Sequence, residues 1–223
     1  MNNDGAAIAL IPAAGIGSRL GLDSKAFLSI SGLTLLERAV ASVSKVAGRV
    51  LVGVAAEDVA RARLLLFGSA EVYTGGETRA ETIALLLNES AEPYVLVHDA
   101  ARPFASATLV SKVLDAARLS GAAVSVSRPS SSVMNVEGGL VRDVWPRSAA
   151  AQGQTPFCLR REILLRALDL AQQSGEDRSP WEFVVELGLP VTAVPGEESN
   201  IKITTPLDWQ IATQVIARTL ASD

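Results

Sequence analysis

The residues best suited to chemistry begin where an apolar run ends. Ile11-Pro12-Ala13-Ala14-Gly15-Ile16-Gly17-Ser18-Arg19-Leu20 is followed closely by Lys25. Small side chains let backbone N–H groups approach phosphate oxygens. Arg19 and Lys25 add positive charge on the same side, so the loop is a sensible cradle for a polyphosphate. The glycines alone are not diagnostic. Gly15, Gly17 and Gly21 miss the dinucleotide spacing by one residue, and no Gly-Lys-Ser/Thr follows. A tight strand-to-helix turn with incidental surface cations is the alternative reading of the spacing.

Two further clusters carry candidates. Val97-His98-Asp99-Ala100-Ala101-Arg102-Pro103 follows a short apolar run. A parallel sheet binds ligands at the carboxyl ends of its strands. Asp99 there could take substrate hydroxyls or help to hold a hydrated Mg²⁺, and Arg102 could pair with a phosphate. As an N-cap or turn residue, Asp99 would have a purely local role. His98, the only histidine, reads as a satisfied structural residue rather than a base. The third cluster is Asn200-Ile201-Lys202-Ile203-Thr204-Thr205-Pro206. A lysine between isoleucines in a short strand would point away from both, into a crevice or into solvent.

Alternating strands and helices must position these residues. Ala6 to Ile11, Arg49 to Val54, Glu71 to Tyr73, Tyr94 to Val97, Ala122 to Ser127 and Val191 to Val194 read as strands. Thr34 to Val46, Asp58 to Leu66, Arg79 to Leu87, Thr108 to Leu119, Leu159 to Gln173 and Pro206 to Leu220 read as helices. The alternation predicts an α/β domain with a mainly parallel central sheet. Between Arg128 and Pro146 the rhythm breaks. Met134 to Val136 and Leu140 to Arg142 suggest a hairpin around Glu137-Gly138-Gly139. It is either an arm for a partner subunit or an extra hairpin on its own sheet.

Composition narrows the class. A chain of 223 residues reads as one domain, and 48% hydrophobic residues supply a core. One cysteine, Cys158, forms no internal disulfide and fits a reducing compartment. The net charge of -4, with both signs interspersed, speaks against a nucleic-acid binder. Met1 to Asp4 has no cationic stretch, so a signal peptide is not expected. The first apolar run is broken at Pro12 and Gly15, too short to cross a membrane. A cytoplasmic location follows by default.

Taken in order, Pro12 to Gly17 with Arg19, Lys25, Gly75-Gly76-x-x-Arg79, Val97 to Pro103 and Asn200 to Pro206 resemble the 2-C-methyl-D-erythritol 4-phosphate cytidylyltransferases. The matches spread over nearly the whole chain. The resemblance implies a Rossmann-like nucleotidyltransferase domain over residues 1–223, with a projecting β-hairpin arm at about 129–147 exchanged in a homodimer. It implies CTP and a small polyol phosphate as partners, with Mg²⁺. Ala13, Ala14, Gly15, Ile16 and Gly17 would hold the CTP phosphates with Arg19 and Lys25. Gly76, Glu77 and Thr82 would face the cytosine and ribose. Lys202 would join Arg19 and Lys25 at the α-phosphate, as the catalytic cations. Asp99 and Arg102 would line the polyol site, and Arg147 and Thr155 would belong to the part reached across the dimer. Four features depart from the family pattern. Ser24 replaces proline, and Glu77 and Thr82 replace Asp and Ser. Ser130-Ser131-Ser132 replaces Asp-Thr, so Ser131 or Ser132 would supply the hydroxyl contact. Residues 177–181 lack the Thr-Asp-Asp/Glu signature. The related ribitol 5-phosphate cytidylyltransferases and a non-catalytic nucleotide-binding regulator are the alternatives.

Overall fold

The computed structural model describes residues 6–15, 25–176 and 178–216, with side chains as far as residue 214. Ile16, Gly17, Arg19 and Ser24 lie outside the described residues, as do Asp177 and the end of the expected closing helix.

The centre is strand β1 (Ala7–Pro12), parallel to β4 (Arg49–Val54) on one side and to β6 (Tyr94–Val97) on the other. Beyond β4 lies β5 (Glu71–Thr74), also parallel. Beyond β6 lies β10 (Gln152–Arg160), antiparallel to both β6 and β7 (Ala122–Ser127). The edge strand β11 (Thr192–Pro195) runs parallel to β7. The order is β11-β7-β10-β6-β1-β4-β5, the mainly parallel sheet that the alternation predicts.

Helices cover both faces, which explains the unbroken apolar runs of the inner strands. Ala7, Ala9 and Ile11 of β1 pack on one side with Leu36 and Val40 of α1 (Leu35–Val43), Ala62 of α2 (Val59–Leu65) and Val113 of α4 (Ala107–Ser120). Ile8 and Leu10 pack on the other with Ile83 of α3 (Arg79–Asn88), Leu164 of α5 (Arg161–Ser174) and Phe183 of α6 (Pro180–Glu186). Cys158 of β10 is buried on the same face as Ala7, Ala9 and Ile11, and burial pushes its thiol far above the ordinary range, so it is an apolar filler rather than a nucleophile.

Three expectations need correction. Gln152–Arg160 is a long central strand, with the following helix starting only at Arg161. The register shifts between Gly153 and Phe157, so Pro156 sits where the ladder is already interrupted. Residues 180–186 form a helix that the hydrophobic spacing did not reveal. Residues 201–204 are irregular, not a strand, and α7 (Pro206–Ile211) runs into a wide turn over Ala212–Ile216. Two short strands, β2 (Ser29–Ile30) and β3 (Leu33–Thr34), form a small hairpin of their own.

The expected arm is a hairpin of β8 (Val133–Glu137) and β9 (Leu140–Trp145), paired with each other and, among the described residues, with no other strand. Gly138 and Gly139 take φ of 58° and 78°. A two-residue turn matching the strand twist needs positive φ at both positions, and glycine supplies it without strain.

The loop after β5 presses on the loop after β1. A Cβ at Gly75 would meet Ala14 Cβ at 2.6 Å and Thr82 Oγ1 at 2.9 Å. Gly75→Ala should therefore destabilise the chain by about 1–3 kcal/mol through overpacking. Gly48→Ala, where a Cβ meets nothing within 4 Å, should leave the melting temperature nearly unchanged. Equal melting temperatures for both variants would contradict the packing of these loops.

Candidate active site

A crevice opens at the carboxyl ends of β1 and β6. Its wall includes Pro12 to Gly15, Lys25 and Ala26, Glu77 to Arg79, Thr82, Asp99 to Ala101, Lys202 and Thr204. The expected residues Ala13, Ala14, Gly15, Lys25, Glu77, Thr82, Asp99 and Lys202 thus come together, although they span most of the chain.

Asp99 sits at the centre. It is buried, 7% exposed. Its Oδ1 accepts from Arg79 Nε at 2.9 Å and faces Nη2 at 2.8 Å, while its Oδ2 pairs with Lys202 Nζ at 2.9 Å. Burial alone would raise its pKa. The Arg79 and Lys202 charges outweigh burial and hold the carboxyl well below its usual range. The Gly75-Gly76-x-x-Arg79 run marks Arg79 in the sequence without giving it a role; its pairing with Asp99 is visible only in the fold.

Each partner is aimed by local structure. Arg79 is the first residue of α3, whose N-cap Thr78 forms a capping box with Glu81. The Glu81 carboxylate also accepts from Glu77 N at 2.9 Å. Lys202 is held from behind by Ile203, fully buried, whose amide donates to Ala101 O at 2.9 Å. Thr204 and Thr205 amides donate to Asp208 Oδ2 at 2.8 and 2.7 Å, fixing the entry to α7. Lys25 opens a single 3-10 turn whose Ala26 and Phe27 are buried.

Glycine and threonine pack the side of the crevice formed by the loop after β5. Thr82 is buried; its hydroxyl accepts from Gly76 N at 3.1 Å and donates to Thr78 O at 3.0 Å. The Ala13 amide donates to Gly53 O at 2.7 Å, so it continues the sheet rather than pointing into the crevice.

Behind Asp99 lies a polar layer. The Asp99 amide donates to Thr155 Oγ1 at 3.0 Å, and that hydroxyl lies 3.2 Å from His98 Nδ1. His98 Nε2 donates to Arg102 O at 2.9 Å. These contacts suit the neutral ring, with Nδ1 accepting from Thr155. Burial lowers the histidine pKa to about 4. Arg102 Nη1 donates to Asn200 O at 2.7 Å, and Asn200 Nδ2 donates to Thr155 O at 2.8 Å. Ser131, Ser132 and Arg147 are exposed around the arm and do not line the crevice of their own chain.

His98 therefore stabilises the fold only while neutral. Its folded pKa is below the unfolded value, so its contribution is full above about pH 6.5 and is lost as pH falls towards about 4. Over that window the wild-type unfolding free energy should fall by up to about 1.4 kcal/mol per pH unit more steeply than that of His98→Gln. Denaturant unfolding at several pH values measures both. Parallel pH profiles would contradict a buried neutral histidine.

Known proteins resemble this chain in sequence and in fold. A family model described as 2-C-methyl-D-erythritol 4-phosphate cytidylyltransferase matches residues 7–218. A protein of that name from Thermus thermophilus is 41% identical over 210 residues, covering 94% of this chain and 96% of the relative. One from Deinococcus radiodurans is 36% identical over 207 residues, covering 92% and 87%. The crystal structure of a Thermus thermophilus enzyme of the same name superposes with a TM-score of 0.78 at 38% identity, over 96% of this chain and 99% of the other. A 4-diphosphocytidyl-2C-methyl-D-erythritol synthase from Anaerococcus prevotii shares the fold, with a TM-score of 0.83 at 23% identity over 98% of this chain and 99% of the other. Matching over residues 7–218, the chain belongs to the 2-C-methyl-D-erythritol 4-phosphate cytidylyltransferase family.

Proposed function

We propose that this chain is a single nucleotidyltransferase unit that transfers CMP from CTP to 2-C-methyl-D-erythritol 4-phosphate. The products are 4-diphosphocytidyl-2-C-methyl-D-erythritol and pyrophosphate, a step in isoprenoid precursor synthesis. The observation that carries the reading is the convergence of Lys25, Arg79 and Lys202 on one crevice beside the Ala13–Gly15 turn. An oxygen of the polyol phosphate attacks the α-phosphorus of CTP, and the bond to the bridging oxygen of pyrophosphate breaks. Both reactants are anions, so the protein's task is to position them and to offset their charge. Lys25 and Lys202 serve the α-phosphate, with Arg19 in the same role. Asp99 and Arg102 serve the polyol phosphate side, with Thr155 behind them. Gly76, Glu77 and Thr82 shape the slot for base and ribose. A phosphate monoester is largely dianionic near neutral pH and needs no general base. The engagement of His98 in the layer behind Asp99 is consistent with that.

Magnesium fits poorly as a metal held by the protein. Both Asp99 oxygens already face cations, and no group of three histidine, cysteine or acidic side chains gathers among the described residues. In this account Mg²⁺ accompanies the triphosphate, whose oxygens suit it, and no step runs through a protein-held ion. Among the described residues no helix is long and apolar enough to cross a membrane. The lone buried cysteine fits a cytoplasmic location.

The arm is proposed as the homodimer contact. Met134, Val136, Leu140, Val141, Val144 and Trp145 are all between 44% and 58% exposed. A hairpin with so little cover is marginal in water. A second copy would bury it in an isologous interface, and would bring Arg147 to the partner's polyol site together with Ser131 or Ser132.

Lys25→Ala should lower turnover by roughly 10²–10³, the range for losing one preorganised charge donor, with the chain still folded. Pyrophosphate release from CTP with each polyol phosphate is the assay. Release with ribitol 5-phosphate but not with the methylerythritol phosphate would overturn the substrate assignment, and no release would overturn the activity. Mixed refolding of Lys25→Ala and Arg147→Ala chains should restore part of the activity, because a heterodimer has one site free of both lesions. A fully active monomer by light scattering would refute the shared site.

A further inference from the structure

Two cations hold Asp99, and they are held very differently themselves. Lys202 has a side chain 45% exposed and meets Asp99 through Nζ alone. Arg79 is 24% exposed and is fixed on several sides. Its Nε and Nη2 both meet Oδ1, its Nη1 donates to Ser179 Oγ at 3.3 Å, and its guanidinium lies 5.8 Å from the Phe157 ring centroid. Its backbone starts a helix with a complete capping box. Ser179 in turn caps α6, so Arg79 is clamped between two helix starts.

From this asymmetry we infer that Arg79 is a positioning residue for cytidylyl transfer, holding the Asp99 carboxylate so that Lys202 can leave it for a substrate phosphate. The inference rests on the functional reading above. A lysine cannot serve a phosphate while it remains the only counter-charge of a buried carboxylate. Removing it would leave that charge unpaired beside an incoming polyanion, which is costly. With Arg79 in place the carboxylate stays compensated after Lys202 departs.

Calorimetric titration of CTP into the full chain tests this with a double-mutant cycle. The four proteins are wild type, Arg79→Met, Asp99→Asn and the double variant, each checked by thermal melting. Arg79→Met should weaken CTP binding by roughly tenfold or more. In the Asp99→Asn background the same change should cost about twofold or less, because there is no buried carboxylate left to hold. Should Arg79→Met fail to fold, Arg79→Lys, which keeps the charge but loses the fork, takes its place, and its loss should again vanish in the Asp99→Asn background. Equal losses in both backgrounds would overturn the inference, since Arg79 would then act by touching the nucleotide or through the fold. Unchanged CTP binding in Arg79→Met would overturn it too. A wild-type chain that neither binds nor turns over CTP would overturn the functional reading and this inference together, whereas an additive cycle in an active enzyme overturns the inference alone.

Discussion

Asp99 is buried at the carboxyl end of β6 with both oxygens on cations, and much of the surrounding structure follows from keeping it there. A carboxylate withdrawn from water persists only while its partners are in place. One partner must come from the start of α3, which sets the distance between β6 and the loop after β5. The other comes from the irregular stretch before α7, where buried Ile203 and the Asp208 cap fix the backbone on either side of Lys202. The Asp99 amide is tied to Thr155, and through it to His98, Arg102 and Asn200. Loosening any of these would shift the carboxylate and both cations together.

The same arrangement divides labour between rigid and movable charge. Thr82 and Gly75 pack the loop after β5 closely enough that one methyl group would not fit. His98 serves as a neutral spacer, and burial keeps it so. Lys202, half exposed, is the member with freedom to change partner. Positive charge from Lys25, Arg79 and Lys202 is thereby concentrated along one crevice. The arm lies apart from this centre and presents apolar residues that its own chain does not cover.

The inner strands were legible because burial on both faces makes their sequences uniformly apolar, as in Ala7–Pro12 and Tyr94–Val97. The hairpin turn was legible because two adjacent glycines meet a specific need for positive φ. Strand β10 was not, since Gly153 and Pro156 are poor strand residues and become acceptable only at the register shift. The site was legible in part. The lysine between two isoleucines marked Lys202 as unusual, yet its direction depends on Ala101 and Asp208, which no local pattern links to it. The Arg79–Asp99 pair joins residues twenty positions apart through two separate loops, so only the folded sheet brings it into view. The roles of Ile16, Gly17 and Arg19 rest on the sequence, because they lie outside the described residues.

The most direct test of a fixed Arg79 and a transferable Lys202 is a crystal structure of the chain with CTP. Arg79 is expected to stay on Asp99 while Lys202 Nζ moves from the carboxylate to an oxygen of the α-phosphate. A nucleotide-bound crevice in which Lys202 remains 2.9 Å from Asp99 Oδ2, as it is here, would contradict that division of roles.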